Sequence, residues 1–136
     1  MTQKRRILLV DDDLFMRELL TQELAEHGYS VVIAEQGVQA MEVIGANPVD
    51  GVITDLIMPD MDGIELIQAL RRRYPDLPII ALSGGSQLGN ITDYLGFATG
   101  LGANKAFAKP LKIAELIQTL EQYWQDNSGT TQREKI

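Results

Sequence analysis

Five short apolar runs, Ile7 to Val10, Val31 to Ala34, Val52 to Thr54, Ile79 to Leu82 and Lys105 to Ala108, are spaced along this chain with stretches of helical periodicity between them. Each run is too short for a helix and reads as a strand, most of them apolar enough to be buried on both faces. A strand followed by a helix, repeated, predicts a parallel sheet, because parallel neighbours need a crossover connection and a helix supplies it. The predicted helices run from Leu14 to Glu26, with Leu14, Phe15, Leu19, Leu20 and Leu24 at helical spacing, from Val38 to Ile44, from Ile64 to Arg73 and from Ile113 to Trp124. The first ends near His27-Gly28, and the second stops ahead of Pro48, since the residue before a proline is pushed out of helical geometry. The third places Arg71, Arg72 and Arg73 at its negative end, where cations are favoured. A further helix is expected around Ile91 to Thr99, in a segment whose glycines, from Gly84 to Gly102, weaken it.

A chain of 136 residues suits one domain that folds without staples, and the absence of cysteine fits a reducing, cytoplasmic setting. The basic start Lys4-Arg5-Arg6 is followed by only four apolar residues and then by aspartates, so it is no export signal, and no run approaches a membrane span. With 12 basic and 19 acidic residues the net charge is −7, which argues against direct binding to nucleic acid. Residues 1–125 are expected to form the domain. Residues 126–136 hold almost nothing apolar and are expected to be a polar, disordered tail or the start of a linker, and Met1 fits an amino-terminal position.

The chemistry concentrates where the strands end. Asp11, Asp12 and Asp13 follow the first strand and Asp55 follows the third, so carboxylates converge on one sheet edge, the edge where open α/β sheets bind ligands. Clustered like charges call for a cation, and hard oxygen ligands suit Mg²⁺. Ser83 and Lys109 end the fourth and fifth strands and bring a hydroxyl and an ammonium to the same edge. Taken singly, each has a plainer role: Asp13 and Asp62 as helix caps, Ser83 as a turn residue, Lys109 in solvent, His27 at a helix end, and Phe107 and Trp124 in packing. Their joint placement at the ends of different strands is what points to a site.

These residues lie in Leu9-Val10-Asp11-Asp12-Asp13, Asp55-Leu56-Ile57-Met58-Pro59-Asp60-Met61-Asp62-Gly63, Leu82-Ser83-Gly84 and Gly102-Ala103 to Lys109-Pro110. Through them the chain resembles, over Lys4 to Tyr123, the receiver domain of two-component response regulators. The resemblance implies an α/β, flavodoxin-like, doubly wound sheet of five parallel strands in the order 2-1-3-4-5 with five flanking helices. It implies that Asp55 is the phosphoacceptor for a sensor histidine kinase or histidine phosphotransfer protein. By the same resemblance Asp12 and Asp55 would bind Mg²⁺, Asp11 would act through metal-bound water, and the backbone carbonyl of Ile57 would complete the set. Lys109 would neutralise a phosphoryl oxygen, and Ser83 would turn inward to bond another. A cis Lys109-Pro110 peptide is implied as well, and so is a switched face on the fourth helix, fifth strand and last helix, with Tyr94, Phe97 and Trp124 as candidate anchors. A homodimer formed on phosphorylation would use that face. Such a domain is a signalling phosphoacceptor rather than an enzyme with a substrate of its own.

The match departs from the family where an aromatic is usual three residues before the lysine; here Ala106 stands there, and Phe107 should point to the opposite face of the strand. Ile57 and Gly85, two residues beyond Asp55 and Ser83, offer no polar group to orient an attacking water, so slow self-dephosphorylation is expected. Two other functions compete. One is a receiver fold working as an interaction module without phosphorylation. The other is a phosphohydrolase with an aspartyl nucleophile, which usually carries a second Asp where this chain has Ile57.

Overall fold

The computed structural model describes residues 5–56, 63–83, 96, 98–108 and 112–126. In chain order the elements are β1 (Arg6–Val10), α1 (Leu14–Glu26), β2 (Ser30–Ala34), α2 (Gly37–Ala46), β3 (Gly51–Asp55), α3 (Gly63–Arg73) and β4 (Ile79–Ser83). Helical residues 96 and 98–101 (α4) then precede β5 (Lys105–Ala108) and α5 (Ile113–Asp126). The strands form one parallel sheet in the order β2-β1-β3-β4-β5, the doubly wound arrangement of flavodoxin-like folds.

Alternation along each strand divides the core into two layers. Leu8, Val10, Val52, Ile79 and Ala81 pack with Ala40, Ile44, Leu66, Ile67 and Leu70, contributed by α2 and α3. Ile7, Leu9, Ile53, Ile80 and Leu82 pack with Leu20, Leu24, Leu116 and Leu120, contributed by α1 and α5. All of these are buried to within 1 % of full enclosure, and each large aliphatic side chain contributes about 1.5–3 kcal/mol by leaving water. Gly51 lies where a β-carbon would meet Leu120 at 3.2 Å, so the absent side chain lets α5 close on β3.

Helix ends follow local chemistry. Asp13 caps α1, its Oδ1 accepting from Phe15 N at 2.9 Å, and Gln36 caps α2 by accepting from Val38 N at 2.8 Å. The far end of α1 closes in a Schellman turn: Tyr29 N donates to Leu24 O and Gly28 N to Ala25 O, with Gly28 at φ +91°. His27 is exposed, its Nδ1 2.9 Å from Glu23 O, which is the helix-end role expected of it. Asn47, just ahead of Pro48, is extended, so the proline ends α2 as anticipated, although the helix continues through Gly45 and Ala46.

Packing settles three details that spacing left open. The inward stripe of α1 is Met16, Leu20 and Leu24; Leu14, Phe15 and Leu19 are exposed, because the helix turns that side away from the sheet. Trp124 is buried in the α1–α5 layer and donates from Nε1 to Asp50 O at 2.9 Å, so it is a packing residue and no surface anchor. The last helix runs to Asp126, two residues beyond the Trp124 at which it was expected to end. Residues 127–136, the Lys109-Pro110 bond, Asp62, Gly85, Tyr94, Phe97 and most of the helix expected from Ile91 lie outside the described residues.

Candidate functional site at the carboxyl edge of the sheet

Strand register assembles the edge. Val10 of β1 lies beside Thr54 of β3, so Asp11 and Asp55 follow at the next step on neighbouring strands. Asp55 in turn lies beside Leu82, with Ser83 one residue on, and Ser83 lies beside Ala108, the residue before Lys109. One carboxylate oxygen from each of Asp11, Asp12 and Asp55 falls within 4.8 Å of the other two. Asp11 is fully buried, Asp55 is 9 % exposed and Asp12 faces solvent.

Each carboxylate is oriented by its surroundings. Asp11 Oδ1 accepts from Asp13 N at 2.9 Å, and Arg17 Nη1 donates to the Asp11 carbonyl at 3.1 Å, which holds the turn leaving β1. Asp13 spends its carboxylate on the α1 cap and stands outside the trio, which selects the capping role for it. Asp55 is set by β3 itself, which includes it, and Thr54 Oγ1 donates to the Asp55 carbonyl at 2.9 Å. The chain then returns close to its own path: Gly63 N donates to Leu56 O at 2.8 Å, and a β-carbon at Gly63 would collide with the Asp55 carbonyl oxygen and stand 2.5 Å from Leu56 Cα. Glycine is required there by close approach.

Ser83 is 1 % exposed, yet among the described residues its hydroxyl has no hydrogen-bond partner. Thr21 Oγ1 on α1 is likewise unpartnered, so it is the position of Ser83 at the sheet edge that holds the acids which marks it as a candidate donor to a ligand oxygen. Ala81, Ser83, Ala106 and Ala108 occupy facing register positions on β4 and β5, all small, and Ala106 packs against the α2–α3 layer. Phe107 packs in the opposite layer, as expected, and does not replace the aromatic missing at Ala106. Ile57 and Lys109 lie outside the described residues. The donor set fits a hard divalent cation, being all oxygen, anionic and partly open to water.

Sequence reasoning missed a set of exposed apolar side chains. Leu14, Phe15, Leu19, Ile33 and Val38 are exposed by 58, 71, 40, 40 and 47 %, on α1, the edge strand β2 and the start of α2. The signal was available in the five apolar positions of α1, too many for one inward stripe, with Phe15 a single residue after Leu14.

The doubly wound parallel sheet with a cluster of acids and a buried hydroxyl at its switch-point edge is a flavodoxin-like domain with a candidate cation and ligand site there. Residues 7–121 match the family described as response regulator receiver domain, and the chain belongs to that family. Response regulator MprA of Mycobacterium sp. strain KMS is 38 % identical over 112 residues, covering 82 % of this chain and 47 % of that protein. The Mycobacterium avium MprA is 37 % identical over the same length. The chain thus spans about half the length of these relatives. Among solved structures, the Francisella response regulator 1452 receiver domain has a TM-score of 0.80 at 27 % identity, covering 90 % of this chain and 98 % of that one. Chemotaxis response regulator CheY4 of Vibrio cholerae has a TM-score of 0.77 at 27 % identity, covering 89 % and 99 %. The chain is therefore a receiver domain of the two-component response regulator family.

Proposed function

We propose that Asp55 accepts a phosphoryl group from a sensor histidine kinase or histidine phosphotransfer protein, and that the product switches a protein-binding face. A carboxylate oxygen of Asp55 attacks phosphorus; the P–O bond forms as the P–N bond of the phosphohistidine breaks, and the imidazole leaves with the bonding pair and takes up a proton. Asp11, Asp12 and Asp55, with the Ile57 carbonyl, would hold Mg²⁺, which when bound offsets the charge on the phosphoryl oxygens. Asp12, the exposed acid, suits direct ligation, and buried Asp11 suits a hold through metal-bound water. Lys109 neutralises a further phosphoryl oxygen, and Ser83 donates to another, which ends its unsatisfied state. The observation that carries this reading is the pairing of the acid trio with the idle Ser83 hydroxyl on one sheet edge.

The switched face is formed by α4, β5 and α5, and the output is a protein contact, in a linked domain or a separate partner. Residues 1–125 act as the module, with the polar residues beyond as its tail or linker, in the cytoplasm. Among the described residues no helix is long and apolar enough to cross a membrane. The exposed apolar surface around Phe15 begins directly after the acids, and we assign it to docking of the phosphodonor protein. A second reading, an interaction module that works unphosphorylated, draws support from Ala106, where no aromatic is available to move with Ser83.

Mass spectrometry of the intact protein after incubation with acetyl phosphate separates the two. The expected result is a gain of one phosphoryl group that needs Mg²⁺, disappears on chelation with EDTA and is absent from Asp55→Asn. Unmodified protein in the presence of Mg²⁺ and donor would instead support the phosphorylation-independent module.

A further inference from the structure

Arg71, in the last turn of α3, uses its whole guanidinium on main-chain and amide oxygens of other segments. Nε donates to Gly102 O at 3.0 Å, and Nη2 donates to the same carbonyl at 2.7 Å and to Asn104 Oδ1 at 2.8 Å. Nη1 donates to Pro75 O at 2.8 Å and to Tyr74 O at 3.2 Å, so all five donors of the fork are engaged. Asn104 extends the connection. Its Oδ1 also accepts from Ile79 N at 2.7 Å, its own N donates to Ile79 O at 2.7 Å, and Tyr123 Oη donates to its carbonyl at 2.9 Å.

The same turn closes α4. Ala103 N donates to Ala98 O and Gly102 N to Thr99 O, a Schellman turn with Gly102 at φ +132°. A β-carbon at Gly102 would stand 3.1 Å from Cβ and Cγ of Arg71, so the glycine also lets the arginine lie flat against the turn. The end of α4 is thereby bonded to α3, to the first residue of β4 and to α5. Ser83 is the last residue of that same strand, about 13 Å away at 3.3 Å per residue.

We propose that Arg71 is the positioning residue that keeps the 102–104 turn fixed when Asp55 changes state, so that a change at Ser83 does not pass through this turn into β5. The inference rests on the phosphoacceptor reading above. It follows from the imbalance between the two ends of β4, one held by a fully satisfied charged fork and the other carrying a hydroxyl with no partner. A lysine cannot substitute, because one ammonium cannot bridge Gly102 and the Tyr74–Pro75 carbonyls together.

Amide hydrogen exchange followed by NMR tests this on the full chain, comparing wild type, Arg71→Lys, Arg71→Gln and the milder Tyr123→Phe, with and without acetyl phosphate and Mg²⁺. In the resting protein, exchange at Ile79, Gly102, Ala103 and Asn104 is expected to be faster by at least about tenfold in both Arg71 variants, and by less in Tyr123→Phe. On phosphorylation, exchange in the wild type is expected to change at Ser83 and not over 102–104. In the Arg71 variants the change extends through Asn104 into β5, with equal phosphoryl uptake by intact mass. Wild-type exchange rates at 102–104 in the Arg71 variants, or a wild-type change running through Asn104, overturns the proposal. If Asp55 takes up no phosphoryl group, intact mass shows the failure of the phosphoacceptor reading, while the resting rates still decide whether Arg71 holds the turn.

Discussion

Ser83 and Gly63 show how single atoms set this site. The Ser83 hydroxyl is buried without a partner, so removing it relieves a cost in the resting protein. Ser83→Ala is expected to match or exceed wild-type stability by up to about 1 kcal/mol in urea unfolding, and to lose the added stability that phosphorylation brings. A lower midpoint for the resting variant would mean that the hydroxyl is already satisfied. Gly63 behaves oppositely: its missing β-carbon makes room for the Asp55 and Leu56 backbone. Gly63→Ala is expected to lose about 1–3 kcal/mol in the same measurement and to phosphorylate poorly, since relief of the clash moves the backbone of Asp55 itself. Ile57 and Gly85 carry no polar side-chain group with which to orient a water, and slow self-dephosphorylation is expected on that ground. In a label-decay experiment Ile57→Asn is expected to shorten the phosphoryl lifetime relative to wild type, and an unchanged lifetime would mean that position 57 does not govern water access.

At the scale of elements, α1 buries one side against the sheet and exposes apolar residues on another. Leu24→Ala on the inner side should cost about 2–5 kcal/mol, whereas Phe15→Ala, at a position 71 % exposed, should change stability by no more than about 0.5 kcal/mol. If the outer side docks the phosphodonor, Phe15→Ala slows phosphotransfer from a panel of purified histidine kinases and leaves labelling by acetyl phosphate unchanged; equal slowing of both would place Phe15 in the pocket's own chemistry. The same helix marks how far the sequence was legible. Strands were readable because parallel neighbours buried on both faces need continuous apolar runs, and the acids were readable because each follows such a run. The inward face of α1 was not, since five apolar positions fit more than one stripe and only the packed sheet selects Met16, Leu20 and Leu24. The Arg71 connections were also hidden. Three consecutive arginines at a helix end satisfy the helix dipole equally well, and only the turn at Gly102 distinguishes one of them. Position within the trio of acids was partly legible: register puts Asp11 beside Asp55, but the choice of Asp13 as cap depends on hydrogen bonds that spacing alone leaves open.

For the molecule as a whole, function and anchorage occupy opposite edges of the sheet. The carboxyl edge gathers Asp11, Asp12, Asp55 and Ser83. Near the opposite edge, Tyr29 donates to Glu121 at 2.5 Å, its ring stands 5.6 Å from that of Trp124, and Arg5 lies over Trp124 at 4.6 Å. Burial first, then the Glu121 hydrogen bond, pushes the Tyr29 hydroxyl well above its ordinary value of 10. The folded state therefore holds a proton that the unfolded chain releases above pH 10, so this contribution to stability is complete below that pH and is lost as the pH climbs toward the folded value. Tyr29→Phe should flatten the alkaline limb of a stability–pH curve; an unchanged limb would assign it to other groups. Trp124 is the only tryptophan in the chain, and it sits in this anchored edge, buried and away from the phosphoacceptor. Its fluorescence will report unfolding sharply and stay nearly silent when Asp55 changes state, so optical detection of signalling in this protein calls for a fluorophore introduced on the other side of the sheet.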